Sequence, residues 1–355
     1  MDCTLLDDDD VKKLLPIEDC VGLLERAYAD LDAKAAVCSP RSNLAAATDS
    51  DREYVLKSWQ CIHPGLGVAA VRLCSEVMNL HRLPNGRLVG RPEAACPDKG
   101  YLGLVLLFDI ASGRMISIAH DAALSAIVVA ASVGLATRHL ARSDASVLAM
   151  LGAGRQARLQ IAAIAAARQL SEIRVFYPLH QQCKRFGREL AQITGLEVKP
   201  TPTVGQAIAG CDIVATASSS PVPVFASSMI QEGMHVTLTR PSEAPRNFFD
   251  IADVLVTSGG KEPVTISKTG AGGLWRQRGQ FQPAARARVV TLGSVINGRR
   301  PGRTSIEQVT VYGALAGYSS SIFYATLGAE LVSRARREKV GKTLAANLFL
   351  QGHPS

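Results

Sequence analysis

Hydrophobic and polar positions follow different periods along the first 140 residues. Residues 17–35 predict an amphipathic helix, because one of its faces carries Val21, Leu24, Ala27 and Leu31. Between about residues 42 and 118 the pattern changes to short apolar runs separated by turn signals such as Ser112-Gly113, which predicts an antiparallel or mixed sheet. The apolar segment 122–140 then predicts a long buried helix that leads out of this sheet.

A regular alternation of apolar strands and helices begins near residue 147. Strands are predicted at 147–151, 173–177, 196–199, 212–217, 235–239 and 254–256, with helices at 155–170, 181–194 and 204–209 between the first four. This alternation is typical of a parallel sheet covered on both faces. We therefore predict an α/β fold in which a Rossmann-type domain (residues 131–314) is inserted between the N- and C-terminal parts of an α+β domain. Those parts are residues 1–130 and 315–355, and the second is predicted to contain a helix over 319–345.

The first turn of this alternation has the pattern of a dinucleotide-binding fingerprint. It consists of Gly152-Ala153-Gly154-Arg155-Gln156-Ala157, directly after a predicted strand and at the start of a helix. Gly152 permits the tight turn, Gly154 lets the backbone approach a pyrophosphate, and Ala157 lets the helix pack near the strand. The N–H groups at the helix start would face the phosphates. The alternative is an ordinary strand–turn–helix connection.

The end of the second strand bears on the choice of nucleotide. An NAD site usually places an acidic residue there for the ribose hydroxyls, but this chain has Tyr177-Pro178-Leu179-His180, with Lys184 and Arg185 one turn later. Tyr177, His180 and Lys184 are the candidate contacts. The lack of an acid favours NADP(H), with NAD(H) as the alternative, and Lys184 and Arg185 could equally be ordinary exposed helix residues.

Composition and charge exclude several classes of protein. Apolar residues make up 47% and charged residues 20% of the chain, which is typical of a globular enzyme. The start of the chain is acidic, at residues 7–10, and so lacks a secretory signal. Residues 122–137 are uncharged but shorter than the roughly 20 residues needed to span a bilayer. We therefore expect a cytoplasmic protein that does not bind a membrane.

Cysteines and basic residues add two negative predictions. The eight cysteines form no CxxC pair or Cys/His cluster, so we expect buried, reduced thiols and no metal site. The formal net charge is +8, with basic residues concentrated late in the chain. No nucleic-acid-binding module accompanies them, so we expect an exposed helix face and attraction for anionic small molecules rather than nucleic acid.

In the order and spacing of its segments the chain resembles the ornithine cyclodeaminase/mu-crystallin family. The likeness covers nearly the whole length, and its segments are Ser39-Pro40-Arg41, residues 103–109 with Ser112-Gly113, the fingerprint turn, residues 211–217 and Glu232-Gly233-Met234-His235. The resemblance implies a homodimer whose non-Rossmann domain binds substrate and forms the dimer interface. It also implies hydride transfer between nicotinamide and the α carbon of an amino or imino acid, with Thr216, Ala217 and Ser218 among the cofactor contacts.

Individual family residues match unevenly. Arg41 matches the arginine that binds the substrate carboxylate, whereas Arg72 stands in place of the active-site lysine. Arginine keeps the charge but does not readily lose a proton. Val128 replaces a second carboxylate-binding arginine, and Ser242 lies near the position of the cyclodeaminase's catalytic aspartate. These departures argue against ornithine cyclodeamination.

Three hypotheses remain. The first is an NAD(P)H-dependent oxidoreductase acting on an imino, keto or amino acid, the second an NAD-dependent ornithine cyclodeaminase-like ammonia lyase, and the third a crystallin-like NADP-binding protein without turnover. Arg72 and Glu76 are the catalytic candidates. They lie four residues apart in one short segment, so on a strand their side chains would face the same side. The alternative is an Arg72–Glu76 pair with a structural role only. Lys57 and Arg91 are candidates to complete the carboxylate site, and Asp121 is expected to cap the following helix.

Overall fold

The fold contains two sheets joined by a long central helix. The computed structural model describes residues 3–82, 88–93, 102–259, 264–267, 288–313 and 320–345, and the statements below concern those residues. Within them the helices are α1 (Asp8–Leu14), α2 (Ile17–Asp32), α3 (Asp121–Leu140), α4 (Arg155–Ala165), α5 (His180–Thr194), α6 (Val204–Ile208), α7 (Phe248–Ile251), α8 (Leu292–Ile296) and α9 (Ile322–Glu338).

The strands fall into an N-terminal group and a later group. The first comprises β1 (Cys3–Leu6), β2 (Val37–Cys38), β3 (Ser42–Ala47), β4 (Arg52–His63), β5 (Val68–Arg82), β6 (Leu88–Pro92), β7 (Leu102–Asp109) and β8 (Met115–His120). The second comprises β9 (Val147–Leu151), β10 (Glu172–Phe176), β11 (Val198–Thr201), β12 (Ile213–Thr216), β13 (His235–Leu238), β14 (Val254–Thr257), β15 (Val264–Ser267), β16 (Val289–Thr291), β17 (Thr310–Gly313) and β18 (Lys342–Leu344).

The first sheet is mixed and has the order β15-β3-β4-β5-β7-β8-β1-β18, with β2 beside β4 and β6 beside β5. Its centre is the long antiparallel pair of β4 and β5, which runs in register from Arg52↔Asn79 to His63↔Val68. Along β4 every second residue from Glu53 is buried, and the even-numbered residues of the first half of β5 are buried with them. One face of this sheet is therefore internal, with α9 packed against β4 and β5.

The second sheet has the Rossmann arrangement. Its order is β11-β10-β9-β12-β13-β17-β14-β16, and every neighbouring pair is parallel. The chain runs outward in one direction from β9 to β11 and in the other from β12. This reversal leaves a crevice at the carboxyl ends of β9 and β12, which is where open α/β sheets bind nucleotides.

Helix α3 forms the centre of the molecule. It packs against α2 and β7 on the side of the first sheet and against α4, β13 and β17 on the side of the second. It is long and apolar enough to cross a membrane, but 78% of its apolar window is buried inside the fold. The predicted buried helix is therefore confirmed. At Gly134 an added Cβ would lie 2.5 Å from the carbonyl oxygen of Ala163 on α4, so the two helices approach closely.

Several predicted elements need correction. No strand was predicted before the helix at 17–35, yet β1 pairs with β8 and β18 in the first sheet. The helix predicted over 319–345 ends at Glu338, where Lys339 takes a left-handed conformation, and the chain continues as β18. The parallel sheet also contains β16 and β17, which were not predicted, and the unpredicted strand β15 pairs with β3 in the first sheet. These short strands depend on partners far away in sequence, so local pattern alone does not reveal them.

The cysteines of the described residues are free thiols. All are buried except Cys38, which is partly exposed, and Cys96 lies outside the described residues. No cluster of metal-ligating side chains occurs within the described ranges.

Candidate active site

The fingerprint turn is built to hold a pyrophosphate. Gly152 has a φ of +142°, and a Cβ there would lie 2.4 Å from the carbonyl oxygen of Ala217 at the end of β12. Gly154 precedes α4, and a Cβ on it would meet nothing within 4 Å, so the space in front of the turn is open. Ala157 is fully buried against the sheet. The turn therefore fits a dinucleotide at the crevice between β9 and β12.

A buried carboxylate organises the neighbouring strand ends. Glu243 accepts hydrogen bonds from the Thr216 hydroxyl at 2.8 Å, from the Ser218 N–H at 2.8 Å and from its hydroxyl at 2.7 Å. It also accepts the Arg240 N–H at 2.9 Å. Glu243 thus fixes residues 216–218, the predicted cofactor segment, beside the glycine turn.

The end of β10 carries no acidic side chain at residues 177–180. Tyr177 is partly buried and packs against the core, whereas Lys184 is exposed on α5. Arg185 is also exposed and lies 3.6 Å from Glu189. The side chain of His180 lies outside the described residues. Residues 177–180 therefore do not supply the carboxylate that an NAD site usually contains.

Arg72 forms a buried ion pair with Asp121. On the internal face of the first sheet, Arg72 donates from Nε to Asp121 Oδ1 at 2.8 Å and from Nη2 to Oδ2 at 2.7 Å. Nη2 also donates to the Ser125 hydroxyl at 3.0 Å. Arg72 is 7% and Asp121 0% exposed. The suggested Arg72–Glu76 pair is therefore wrong.

Asp121 also differs from its predicted role as a helix cap. The carboxylate that bonds the first turn of α3 belongs to Asp8, which accepts the Ala123 N–H at 2.7 Å and lies 2.9 Å from His120 Nδ1. Asp121 is the first residue of α3 and directs its carboxylate to Arg72. A negative charge at a helix N-terminus is favourable, and here it balances the buried guanidinium.

Two aromatic rings contact Arg72. Its guanidinium carbon lies 4.3 Å from the centre of the Trp59 ring and 4.5 Å from that of Tyr324 on α9. Arg41 lies 5.6 Å from the same Trp59 ring, so the two arginines share one aromatic neighbour. Burial raises the pKa of Tyr324 to about 12, and its hydroxyl donates to the Ser125 hydroxyl at 3.4 Å.

Lys57 and Glu76 form a second ion pair on the same internal face. Their side chains are in direct contact, and each is 11% exposed. Lys57 lies two residues before Trp59 on β4, and Glu76 four residues after Arg72 on β5, so strand alternation places all four side chains on one face. Arg91 lies on β6 opposite Asn79, and its side chain is outside the described residues.

The hydrogen-bonded group of Arg72, Asp121 and Ser125 and the fingerprint turn both contact the first turns of α3. Arg155 and Gln156, at the start of α4, donate to the carbonyl oxygens of Ala122 and Ala126, each at 3.4 Å. Ser125, between those two residues, contacts Arg72. The first turns of α3 are thus shared by the nucleotide turn and by the charged face of the first sheet.

Trp59, Tyr324 and Glu243 were not among the candidate residues in the sequence. Trp59 could have been found, because it follows Lys57 at the spacing of a strand face. Tyr324 and Glu243 gave no such signal, since their roles depend on contacts with distant segments. Val128, which replaces a family arginine, is buried in the core, and Ser242 is partly exposed beside Glu243.

A model of the ornithine cyclodeaminase/mu-crystallin family matches residues 91–319, which is more than half of the chain. The chain therefore belongs to this family. Among its relatives is a Delta(1)-pyrroline-2-carboxylate reductase from Bacillus cereus, 24% identical over 306 residues, which are 85% of this chain and 88% of the relative.

Two solved structures support the fold. The Delta(1)-pyrroline-2-carboxylate reductase of Thermococcus litoralis, in complex with NADH and L-proline, has a TM-score of 0.77 at 20% identity over 96% of this chain and all of that one. An archaeal alanine dehydrogenase dimer with bound NAD has a TM-score of 0.75 at 19% identity over 97% and 99%. The predictions of the family and of the Rossmann-containing α/β fold are confirmed, and the relatives' names agree with the predicted class of oxidoreductase.

Proposed function

We propose that this chain is an NAD(P)H-dependent oxidoreductase that reduces the C=N bond of a small imino acid at its α carbon. The observation that carries the proposal is the junction at α3, where the nucleotide turn and a buried, charged and aromatic face meet. Relatives of this chain include reductases of a cyclic imine carboxylate. Keto acid reduction and amino acid oxidation are further reactions of the same class.

The proposed site assigns a role to each part of the charged face. A nicotinamide bound at the turn supplies the hydride. Arg41 would hold the substrate carboxylate, a task suited to a planar guanidinium, beside the ring of Trp59. The Lys57–Glu76 pair would deliver a proton to the imine nitrogen, Lys57 as donor and Glu76 as the group that balances its charge.

Arg72 has a positioning role in this proposal. Its bidentate pair with Asp121 leaves the two side chains without net charge, and it holds Trp59 and Ser125 in place. This differs from the catalytic role that the family's lysine position suggested for Arg72.

The acidic group near Ser242 bears on the cyclodeaminase alternative. Glu243 is fully buried, and its oxygens accept four hydrogen bonds from the strand ends. A carboxylate that handles a substrate amine must reach it. The geometry therefore favours reduction of an imine over ornithine cyclodeamination.

For the nucleotide we propose NADP(H), with NAD(H) as the alternative. No acidic side chain stands at residues 177–180, and Lys184 is exposed one turn later, where it can attract a 2′-phosphate. The ratio of apparent KM values for NADPH and NADH tests this. Lys184→Ala should raise the KM for NADPH and leave that for NADH nearly unchanged, whereas Lys13→Ala, at an exposed position of α1, should change neither.

We also propose a cytoplasmic homodimer whose interface is the outer face of the first sheet. Leu56, Leu44 and Ile266 lie in one row across β4, β3 and β15, and they are 36%, 46% and 62% exposed. An apolar row of this kind marks an interaction surface, and a second copy would cover it. Residues 1–130 with 315–355 remain the proposed substrate-binding and dimerisation domain, and residues 131–314 the proposed nucleotide domain.

The proposed function can be tested by mixing the purified protein with NADPH and a panel of cyclic imine carboxylates, beginning with Delta(1)-pyrroline-2-carboxylate. Net loss of nicotinamide absorbance that requires the imine supports the proposal. Ammonia release from ornithine without net oxidation of nicotinamide would support the cyclodeaminase, and nucleotide binding with neither reaction would support a crystallin-like protein.

Two variants separate the halves of the site. Gly154→Val places a side chain in the open space in front of the turn, where the pyrophosphate of the nucleotide would bind. It should abolish nucleotide binding measured by calorimetry. Arg41→Ala should raise the imine KM at least about tenfold, the loss of one charge-assisted contact, while the nucleotide Kd stays constant. An unchanged imine KM would remove Arg41 from the carboxylate site.

A further inference from the structure

Cys38 and Cys61 face each other on adjacent strands. They are directly opposite in the antiparallel pair of β2 and β4, and their Sγ atoms lie 3.5 Å apart. The neighbouring Ser39 N–H donates to Gln60 O at 3.0 Å, so Cys38 and Cys61 occupy a non-hydrogen-bonded position. At such a position Cα atoms are about 4.5 Å apart, which lies within the range that a disulfide bridges.

The two thiols differ in accessibility. Cys38 is partly exposed at the end of β2, whereas Cys61 is 2% exposed. An oxidant from solvent therefore reaches Cys38 first, and Cys61 lies behind it in position to react second. A partly exposed thiol with a resolving cysteine beside it is the arrangement of redox-sensitive sites.

The surroundings of Cys38 favour its thiolate. The Cys61 thiol, the hydroxyls of Ser320 and Ser321 and the backbone N–H of Ile322 lower the pKa of Cys38 to about 6, outweighing the opposing effect of burial. Ile322 is the first residue of α9, a helix of 17 residues, whose N-terminus stabilises a nearby anion. The pKa of Cys61 is raised by its bond to Cys38 and by burial.

We propose that Cys38 and Cys61 form a reversible oxidation site, at which a low-molecular-weight disulfide such as oxidised glutathione converts the two thiols into an intramolecular disulfide. The Cys38 thiolate attacks one sulfur of glutathione disulfide and releases one glutathione thiolate. Cys61 then loses its proton to solvent and attacks Cys38 Sγ, which releases the second glutathione. The protein loses two electrons and two protons, and one glutathione disulfide becomes two glutathione molecules.

The bond would fix the segment that leads to the proposed carboxylate site. Ser39 already bonds Gln60 through both its N–H and its hydroxyl, and Arg41 follows two residues later beside Trp59. In a reducing compartment such a bond is transient and depends on the redox state. The proposed thiol switch therefore lies three residues before Arg41, in the segment that positions the proposed carboxylate site.

Peptide mapping tests the proposal without any enzyme assay, so its outcome is independent of the proposed function. The folded full chain is incubated with glutathione disulfide, quenched with acid, alkylated and digested with trypsin without reductant. Cleavage at Lys34, Arg41, Lys57 and Arg72 places the two cysteines alone in peptides 35–41 and 58–72. We expect these peptides to appear linked and to separate completely after treatment with dithiothreitol.

Three variants determine the order of events. In Cys61→Ser, glutathione should remain attached to peptide 35–41, because no resolving thiol is present. In Cys38→Ser, peptide 58–72 should stay reduced, and the control Cys183→Ser, at a buried thiol on α5, should retain the linked pair. The proposal is overturned if the linked peptides form only in urea, if glutathione attaches to Cys61 in preference to Cys38, or if the folded protein remains fully reduced.

Discussion

Arg72 and Asp121 form an oppositely charged pair buried at the internal face of the first sheet, at 7% and 0% exposure. Taking both from water is costly, and the cost is recovered only through bidentate geometry and further hydrogen bonds. Both conditions hold, because two guanidinium nitrogens meet two carboxylate oxygens and Ser125 takes a third bond. The pair therefore stabilises the structure only as long as both partners are present.

Asp121→Asn should lower the free energy of unfolding by about 3–5 kcal/mol, because it leaves the Arg72 charge buried without its partner. Urea unfolding measures the change. The matched control Asp9→Asn, at a carboxylate whose side chain is 90% exposed, should change it by less than about 0.5 kcal/mol. Equal effects of the two substitutions would contradict the described pair.

The sequence identified Arg72, Glu76 and Lys57 as candidate site residues but did not predict which charged side chains pair with each other. Arg72 and Glu76 were expected on one face of a strand, with a structural pair between them as the alternative, yet Glu76 pairs with Lys57 and Arg72 with a residue 49 positions later. The pairing follows from the packing of α3 on the sheet, which no local spacing encodes. The fingerprint was predictable because its residues are adjacent in sequence and each has a backbone requirement.

At the scale of elements, the contact between α3 and α4 depends on the absence of a side chain at Gly134. An added Cβ would lie 2.5 Å from a backbone oxygen, which can yield only if a helix moves. Gly134→Ala should therefore destabilise the fold and weaken nucleotide binding, since α4 carries the fingerprint. Gly22→Ala, at an exposed position of α2 with open space around the new Cβ, should instead stabilise by up to about 1 kcal/mol.

The measurement is thermal unfolding together with calorimetric titration of the nucleotide. If Gly134→Ala binds the nucleotide as tightly as the unaltered chain does, then the close approach of the helices is not what positions the turn.

Strand β13 contains a histidine that affects stability at acid pH. His235 is fully buried, its Nδ1 lies 2.9 Å from Thr310 Oγ1, and burial, with Arg303 and Arg168 nearby, lowers its pKa from 6.5 to about 3. Below pH 6.5 the unfolded chain binds a proton that the folded chain does not, so the free energy of unfolding falls as the pH decreases.

Between pH 7 and pH 5 this histidine alone should cost about 2 kcal/mol of stability. His235→Gln removes that contribution, so urea unfolding at the two pH values should show a smaller loss for the variant, whatever its stability at pH 7. The same loss in both proteins would show that His235 titrates normally in the fold.

Elements with strong local signals were predicted closely, and weak ones were missed. Strand β9 was predicted with its observed bounds, and α3 within one residue of its start. Strands β1, β15 and β18 have three or four residues each and exist because longer strands offer them an edge. A local pattern contains little information about such pairings.

At the scale of the whole molecule, the exposed row of Leu44, Leu56 and Ile266 predicts self-association. Leu44→Lys combined with Ile266→Lys should convert a dimer into a single 37.7 kDa chain, measured by light scattering after size exclusion. Val222→Lys alters a residue that is 47% exposed away from this sheet and should leave the dimer intact. A dimer that survives the double substitution would place the interface elsewhere.

The central claim is that hydride passes from a nicotinamide held at Gly152–Ala157 to the α carbon of an imino acid. The direct measurement uses NADPH in which the hydrogen transferred from C4 of the nicotinamide is replaced by deuterium. The substrate is Delta(1)-pyrroline-2-carboxylate or another imine of the panel that the protein reduces. Mass spectrometry and NMR of the product should show one deuterium at the α carbon, and none with Gly154→Val. An amino acid product without deuterium at that carbon, or complete lack of nicotinamide oxidation by every imine in the panel, would contradict the account.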